Sequence, residues 1–162
     1  MDINIPFYKM SKAQKTQLYM DNLTVIFNPQ ALFSDGTAFY RNPSEPDCFE
    51  EVHLRFRTGR ENVDEVILVF DEQRYTMQKV ANDKMFDYYE YTVKLGDSRV
   101  EYYFEVHSGH MVCYFNSVGV CSSVENYYNF SITPSFQTPD WAKGAIISVS
   151  YTHLRAHETR GN

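Results

Sequence analysis

The sequence predicts an all-β protein, an antiparallel sandwich of about seven strands. Two observations carry this prediction. From residue 51 onward, apolar and polar residues alternate with a period of two, as expected for strands that bury one face and leave the other wet. Turn signals separate these segments at intervals of roughly 8 to 15 residues, and no helical period interrupts them.

The first 28 residues differ in pattern from the rest of the chain, and we expect an N-terminal extension with a short helix. Ser11 is a suitable N-cap for that helix. A loose apolar stripe comes after it, formed by Leu18, Tyr19, Leu23 and Ile26. From residue 29 to residue 50 the chain is rich in proline, which predicts turns and at most one short strand.

Seven segments between residues 51 and 133 are predicted to be strands. In order they are EVHLRFRTG, DEVILVF, QRYTMQKV, FDYYEYTVKLG, RVEYYFEVH, HMVCYFN and YYNFSIT. Asp71-Glu72 is expected to turn the second segment into the third, and Ser108-Gly109 to turn the fifth into the sixth. The alternation predicts that Phe56, Val69, Tyr91 and Phe104 lie between the two sheets.

The composition indicates which binding partners and which cellular compartment to expect. The net charge is −6 without a cluster of Lys or Arg, which argues against nucleic acid. No apolar run approaches the roughly 20 residues that span a bilayer, and the first residues lack a signal-peptide pattern. We therefore expect a cytoplasmic protein that does not enter a membrane. Cys48, Cys113 and Cys121 are odd in number and widely spaced, so free thiols are expected rather than a disulfide framework or zinc site.

No pattern indicates a self-contained active site. Glu101 and Glu105 share one face of a strand, but four residues place them roughly 13 Å apart, whereas glycosidase carboxyls stand about 5 to 9.5 Å apart. Both are expected to be solvated surface charges. His107 and His110 flank a turn without a third metal ligand. We therefore predict no catalytic residue, no metal and no cofactor in this chain.

Aromatic residues are unusually abundant, with 13 Tyr and 12 Phe but a single Trp. Flat apolar rings stack against the C–H faces of sugars. Tyr also favours strands for reasons of packing alone. The composition leaves both interpretations open.

Five segments carry a resemblance to a known family. They are ALFSDGTAFYRNPSEP, VHLRFRTGRENVDEVILV, FDYYEYTV, EYYFEVHSGHMVCYFN and TPDWAKGAI. Together, from Ala31 to Ile146, they resemble the N-terminal domain of neopullulanases, cyclomaltodextrinases and maltogenic amylases of glycoside hydrolase family 13. The most specific piece is TPDWAKGA, which in that family leads into the first strand of the catalytic barrel.

The resemblance implies an immunoglobulin-like sandwich of the type catalogued among carbohydrate-binding modules of family 34. In those relatives the domain helps to form a homodimer and reaches over the partner's active-site cleft. The complete enzymes hydrolyse α-1,4 and sometimes α-1,6 bonds in cyclodextrins, pullulan, starch and maltodextrins. Their catalytic residues lie on the barrel, and only that barrel could hold calcium. This implies an accessory domain for dimerisation and cleft shaping in an α-glucan hydrolase; the alternative is an independent α-glucan-binding module.

Sugar-binding members of this class commonly stack glucose on Trp, and residues 31–133 contain none. This favours dimerisation over direct starch binding. Any glucan or cyclodextrin contact should come instead from exposed Tyr and Phe. Tyr103 is a candidate because it lies between two carboxylates on one face of its strand. Of Tyr127 and Tyr128, one must face out, because they are adjacent in a predicted strand. The carbohydrate-contact candidates are Phe39, Tyr40, Tyr103, Tyr114, Tyr127 and Tyr128.

The expected organisation is an extension (1–28), the sandwich (29–134), a linker to a missing barrel (135–146) and a tail (147–162). In the tail, His153 and His157 have the i, i+4 spacing of a helical zinc pair. However, Glu does not directly follow the first His, and a third ligand is missing. Because SYTHLRAHET resembles translated sequencing-adapter sequence, we expect the tail to be non-native.

Overall fold

The computed structural model describes residues 7–21, 26–137 and 139. Within these residues, ten strands form two antiparallel sheets, which confirms the predicted all-β sandwich. The first sheet has the order β1-β2-β6-β5, with β1 at Arg41–Asn42, β2 at Glu51–Gly59, β6 at Phe86–Lys94 and β5 at Gln78–Asn82. The second has the order β4-β3-β7-β8-β9, with β3 at Glu65–Phe70, β4 at Gln73–Thr76, β7 at Val100–Ser108, β8 at Met111–Asn116 and β9 at Gly119–Cys121. A short β10, Phe130–Ile132, also pairs with β7.

The core lies between the sheets and is built from alternate residues of the long strands. Phe56 of β2 and Phe104 of β7 are fully buried, and their ring centroids are 4.5 Å apart, as predicted for an inter-sheet pair. Tyr91 lies at the edge of this core, stacked on Tyr75 at 4.9 Å. The core cluster comprises Leu32, Val52, Leu54, Phe56, Val66, Leu68, Phe70, Met77, Tyr89, Val93, Leu95, Tyr102, Phe104, Val106, Cys113, Phe115 and Ile132.

The prediction for Val69 was wrong. Val69 is buried, but it pairs with Tyr103 on the outer face of the second sheet. In β3 every residue from Val66 to Phe70 is apolar and buried, so the alternation that fixes the inward face elsewhere is missing. Val66, Leu68 and Phe70 are the residues that face the core.

The third predicted segment is two strands in two different sheets. The Asp71-Glu72 turn joins β3 to β4 as expected, but the chain then crosses from the second sheet to the first at Met77. Met77 is 3% exposed and its N–H donates to the Val66 carbonyl at 2.9 Å. This buried side chain is the point at which the chain changes sheets.

The β7–β8 turn lies one residue later than predicted. Ser108 pairs with Met111, so the two central residues are Gly109 and His110. Gly109 has a φ of 57°, a left-handed conformation that glycine adopts without a steric penalty.

The N-terminal helix, α1, runs from Lys12 to Asp21. It begins with a capping box, because Gln14 N–H donates to Ser11 Oγ at 3.3 Å and Ser11 N–H donates to Gln14 Oε1 at 2.9 Å. Of the predicted apolar stripe, Ile26 is exposed, whereas Leu18, Tyr19 and Leu23 lie outside the residues whose side chains are described. No helix in the described part of the chain is long and apolar enough to span a membrane. Most of the predicted linker and the whole tail, with His153 and His157, also lie outside it.

Candidate functional site

The outer face of the second sheet brings Tyr103 and Tyr114 together. Along β7, the side chains that alternate with the core residues point outward, including those of Tyr103 and Glu105. The register pairs Glu105 with Tyr114 of β8 and Tyr103 with Val69 of β3. The two tyrosine rings therefore meet edge to face, with centroids 6.1 Å apart.

A cleft of about 670 Å³ lies on this face, and we call it the outer cleft. It is lined by Val69, Asp71, Glu72, Arg74, Arg99, Glu101, Tyr103, Val124, Asn126 and Asn129. Tyr103 is half-buried. Burial is the largest cause that raises the pKa of Tyr103, the charges of Glu105 and Tyr114 raise it further, and Arg74 acts in the opposite direction. Its hydroxyl therefore stays neutral at physiological pH and can both donate and accept a hydrogen bond.

Glu105 is not the solvated charge that the sequence predicted. It is 5% exposed, and both of its oxygens accept hydrogen bonds from Arg74: Nη1 at 2.7 Å and Nη2 at 2.9 Å. His107 Nε2 shares a further hydrogen bond with Glu105 Oε1. Burial acts to raise the pKa of Glu105, but the hydrogen bonds and charges of Arg74 and His107 outweigh it and hold the pKa below its ordinary value.

This charge network was missed because Arg74 comes from a different strand than Glu105 and His107. Arg74 lies on β4, which is separated from β7 by β3. A period-two pattern shows which face a residue occupies, but it does not show which strands become neighbours. The amide of Asn129 was missed for a related reason, since the segment YYNFSIT was predicted as a strand throughout. The structure has a 3₁₀ turn at Asn126–Tyr128 with Asn129 directly after it, and the strand begins only at Phe130.

Tyr127 and Tyr128 lie in this 3₁₀ turn and border the outer cleft without lining it. Tyr127 is 91% exposed and Tyr128 is 38% exposed, so both face out rather than one of the two. The Tyr128 carbonyl accepts hydrogen bonds from the N–H and the hydroxyl of Ser117, at 2.9 and 2.7 Å. These contacts hold the turn against the β8–β9 connection.

Phe39 and Tyr40 lie on the opposite side of the sandwich, against the outer face of the first sheet. Tyr40 is buried, with its pKa raised mainly by burial; its ring presents little surface for stacking. Phe39 is 54% exposed and packs over the Arg55 guanidinium at 4.8 Å. The structure therefore divides the six sequence-predicted residues between two faces.

The charged side chains in these regions pair with one another. His107 is hydrogen-bonded to Glu105, and on the first sheet Arg55 Nη2 donates to Glu90 at 2.9 Å. Across the described ranges, no three His, Cys, Asp or Glu side chains are grouped as ligands for a metal ion.

The chemistry of the outer cleft suits a neutral polyhydroxylated ligand. An aromatic ring supplies a flat apolar surface, while guanidinium, carboxylate and amide groups around it can donate to or accept from hydroxyl groups. Two arginines stand among three carboxylates, so the cleft has no excess positive charge for a strongly anionic ligand.

Comparison with known proteins gives one family and several relatives. The family described as "Alpha amylase, N-terminal ig-like domain" matches residues 36–139. A maltogenic alpha-amylase from Bacillus acidopullulyticus is 26% identical over 132 residues, which cover 67% of this chain and 22% of that protein. The chain thus spans about a fifth of the relative's length.

Solved structures agree on the fold. A cyclomaltodextrinase superposes with a TM-score of 0.56 at 25% identity, over 72% of this chain and 22% of its own. The maltogenic amylase from S. marinus superposes with a TM-score of 0.53 over 74% of this chain and 17% of its own. At 13% identity the second of these supports the fold alone.

Proposed function

Because the chain belongs to the family of α-amylase N-terminal immunoglobulin-like domains, we propose that it is the accessory domain of an α-glucan hydrolase. In this proposal the domain contacts the glucan but does not cleave it. The names of two relatives, a maltogenic alpha-amylase and a cyclomaltodextrinase, support α-glucan as the substrate class. This chain covers 22% of each of those proteins, which leaves most of their length for other functions.

The state of Glu105 supports a non-catalytic role. A glycosidase acid must keep its proton near neutral pH, which requires a raised pKa. Arg74 and His107 hold the pKa of Glu105 below its ordinary value, and Arg74 occupies both carboxylate oxygens. Glu105 is therefore an ionised carboxylate with a structural role, unsuited to proton donation or to nucleophilic attack.

The observation that carries the glucan contact is the outer cleft, where a tyrosine ring lies among hydrogen-bonding side chains. Tyr103 supplies the stacking surface, and Tyr114 lies in edge-to-face contact with it. The amides of Asn126 and Asn129 and the Glu101 carboxylate supply polar contacts for sugar hydroxyl groups. A single stacking ring gives weak binding, so we expect a Kd for β-cyclodextrin of about 1 mM.

Calorimetric titration of β-cyclodextrin into the full chain tests this proposal. Tyr103→Ala should weaken binding by about 3- to 10-fold, the usual contribution of one aromatic stacking contact. Phe39→Ala is the matched control, because it removes an exposed ring from the other sheet. Equal binding by wild type and Tyr103→Ala, or release of reducing sugar by the chain, contradicts the proposal.

The second function proposed is self-association, and the observation that favours it is the outer face of the first sheet. Phe39 and Phe33 are 54% and 37% exposed there, packed on Arg55 and Arg57 at 4.8 and 5.1 Å. Exposed aromatics beside arginine are typical of protein interfaces. In the complete enzyme, a dimer formed through this face would leave the outer cleft free to shape the substrate cleft.

Sedimentation velocity over a range of chain concentrations checks the self-association. Wild type should show a concentration-dependent dimer, which Phe39→Ala weakens and Tyr103→Ala leaves intact. If the wild type sediments as a monomer throughout, or if Phe39→Ala dimerises as strongly as wild type, this face is not a self-interface.

A further inference from the structure

Arg74 is held unusually firmly for an exposed side chain. It lies on β4, a four-residue edge strand, and its side chain is 56% exposed. Exposed arginines ordinarily sample many rotamers. Here both η-nitrogens donate to Glu105, whose side chain is only 6% exposed, in the bidentate geometry that fixes a guanidinium plane.

Glu105 is itself fixed from the other side. Its position in the centre of β7 pairs it with Ile67 and Tyr114, and His107, two residues along the same strand, shares a hydrogen bond with one of its oxygens. The carboxylate thus has a rigid backbone beneath it and a second partner beside it. The orientation of the Arg74 side chain is consequently set by Glu105 on the central strand β7 rather than by its own edge strand.

Arg74 also lines the outer cleft, as does Tyr103. Glu105 uses one N–H of each η-nitrogen, and a guanidinium carries five N–H donors. The other N–H groups of Arg74 therefore remain available to a ligand in the outer cleft. The charge of Arg74 is balanced by Glu105, so these donors suit a neutral hydroxyl group better than a phosphate.

We propose that Glu105 is a positioning residue that holds Arg74 ready to donate hydrogen bonds to glucan hydroxyl groups beside the Tyr103 ring. This inference rests on the proposed glucan contact and adds a specificity-determining pair to it. A donor that is ordered before the ligand arrives loses less conformational freedom on binding. Lys is no substitute, since its ammonium is a point charge on a flexible stem and cannot form the bidentate pair.

Arg99 offers an internal comparison in the same cleft. Its Nη2 makes one contact with Glu101, at 3.3 Å, and the two side chains are 61% and 48% exposed. An exposed pair of this kind restrains its arginine weakly. The same Arg→Lys change should therefore have a much smaller effect at position 99 than at position 74.

The experiment measures the Kd for β-cyclodextrin of the full chain and of Arg74→Lys, Glu105→Gln, the double variant, Arg99→Lys and Arg60→Lys. Arg74→Lys and Glu105→Gln should each weaken binding by about 5- to 10-fold, as expected for the net loss of one hydrogen bond. The double variant should bind no more weakly than Arg74→Lys, because both changes remove the same ordered donor. Arg60, which donates to the Asp83 carbonyl outside the cleft, is the remote control.

A purely structural role for Glu105 is separated by two readouts. Binding is measured at a temperature where thermal melts show every variant folded. If Glu105→Gln fails to fold, Arg74→Lys still tests the proposal, because it changes only a partly exposed side chain. In wild type, nitrogen-15 NMR should show separate, slowly exchanging Nη signals for Arg74, which merge in Glu105→Gln.

The outcomes distinguish this inference from the proposed function. If wild type binds β-cyclodextrin and loses affinity in Tyr103→Ala but not in Arg74→Lys, the inference is overturned and the glucan contact stands. Additive losses in the double variant, or merged Arg74 signals in wild type, also overturn it. A wild type that does not bind β-cyclodextrin overturns both.

Discussion

Phe104 and Val69 are both buried, but by different surroundings. Phe104 is fully enclosed between the sheets, against Phe56 at 4.5 Å and Tyr102 at 5.8 Å. Phe104→Ala should therefore lower the free energy of unfolding by about 3 to 5 kcal/mol, since it leaves a cavity in a packed core. Val69 borders the outer cleft, where water can fill the space, so Val69→Ala should cost about 1 kcal/mol.

Urea unfolding of the two variants checks this ranking. A loss below about 1 kcal/mol for Phe104→Ala would mean that the inward and outward faces of β7 are reversed. If the loss reflects the missing ring volume, the more conservative Phe104→Leu should lower the free energy of unfolding by less than Phe104→Ala does.

Glu105 makes a testable contribution to acid stability. Its pKa in the folded protein is lowered from the ordinary value of 4.5, so the folded state binds fewer protons than the unfolded chain near and below that pH. The stability due to this carboxylate is present above pH 4.5 and is lost as the pH falls through the lower folded pKa.

Urea unfolding of wild type and Glu105→Gln across the acid range measures this contribution. The stability difference between the pair should be largest at neutral pH and should shrink below pH 4.5. A difference that stays constant down to about pH 3, well below the ordinary carboxyl pKa, would contradict the lowered pKa.

At the scale of elements, two hairpin turns differ in the residues that adopt positive φ: acidic residues in one and glycine in the other. Asp71 and Glu72 both have positive φ, 47° and 63°, as type I′ turns require. Glu72→Gly should relieve strain and stabilise the domain by about 0.5 to 1 kcal/mol. Gly109 has a φ of 57°, and a methyl group added there would meet only open space, so Gly109→Ala should destabilise by about 1 kcal/mol through the backbone alone.

Thermal unfolding of both variants compares the turns directly. Glu72→Gly should raise the Tm and Gly109→Ala should lower it. A lower Tm for Glu72→Gly would show that the Glu72 side chain makes a contact worth more than the turn strain.

The strands that were predicted well are those in which polar and apolar residues alternate. In β2, β6 and β7 the alternation identifies the buried face, because one side of each strand meets water. It fails in β3, whose outer face is covered by Arg74 and Tyr103. It also misses the separation of β4 from β5 at Met77 and the strand β9, because β4 and β9, with four and three residues, are too short to show a clear alternation.

For the whole molecule, the sequence identified Tyr103 and Tyr114 as candidates but not their neighbours. Their proximity depends on the pairing of β7 with β8, and that of Arg74 and Glu105 depends on β3 lying between β4 and β7. Arg74 and Glu105 are 31 positions apart in the chain. Phe39 is placed on the opposite sheet by the same topology, although it shares the aromatic character of the others.

The central claim is that this family member contacts α-glucan through the outer cleft. A titration of β-cyclodextrin into the nitrogen-15-labelled full chain, followed by amide chemical shifts, tests it most directly. We expect shifts clustered at residues 69–74, 99–105 and 124–129, with residues 38–42 and 53–57 of the other face unchanged. Shifts confined to that other face, or none at all at about 10 mM sugar, where a millimolar site is nearly saturated, would contradict it.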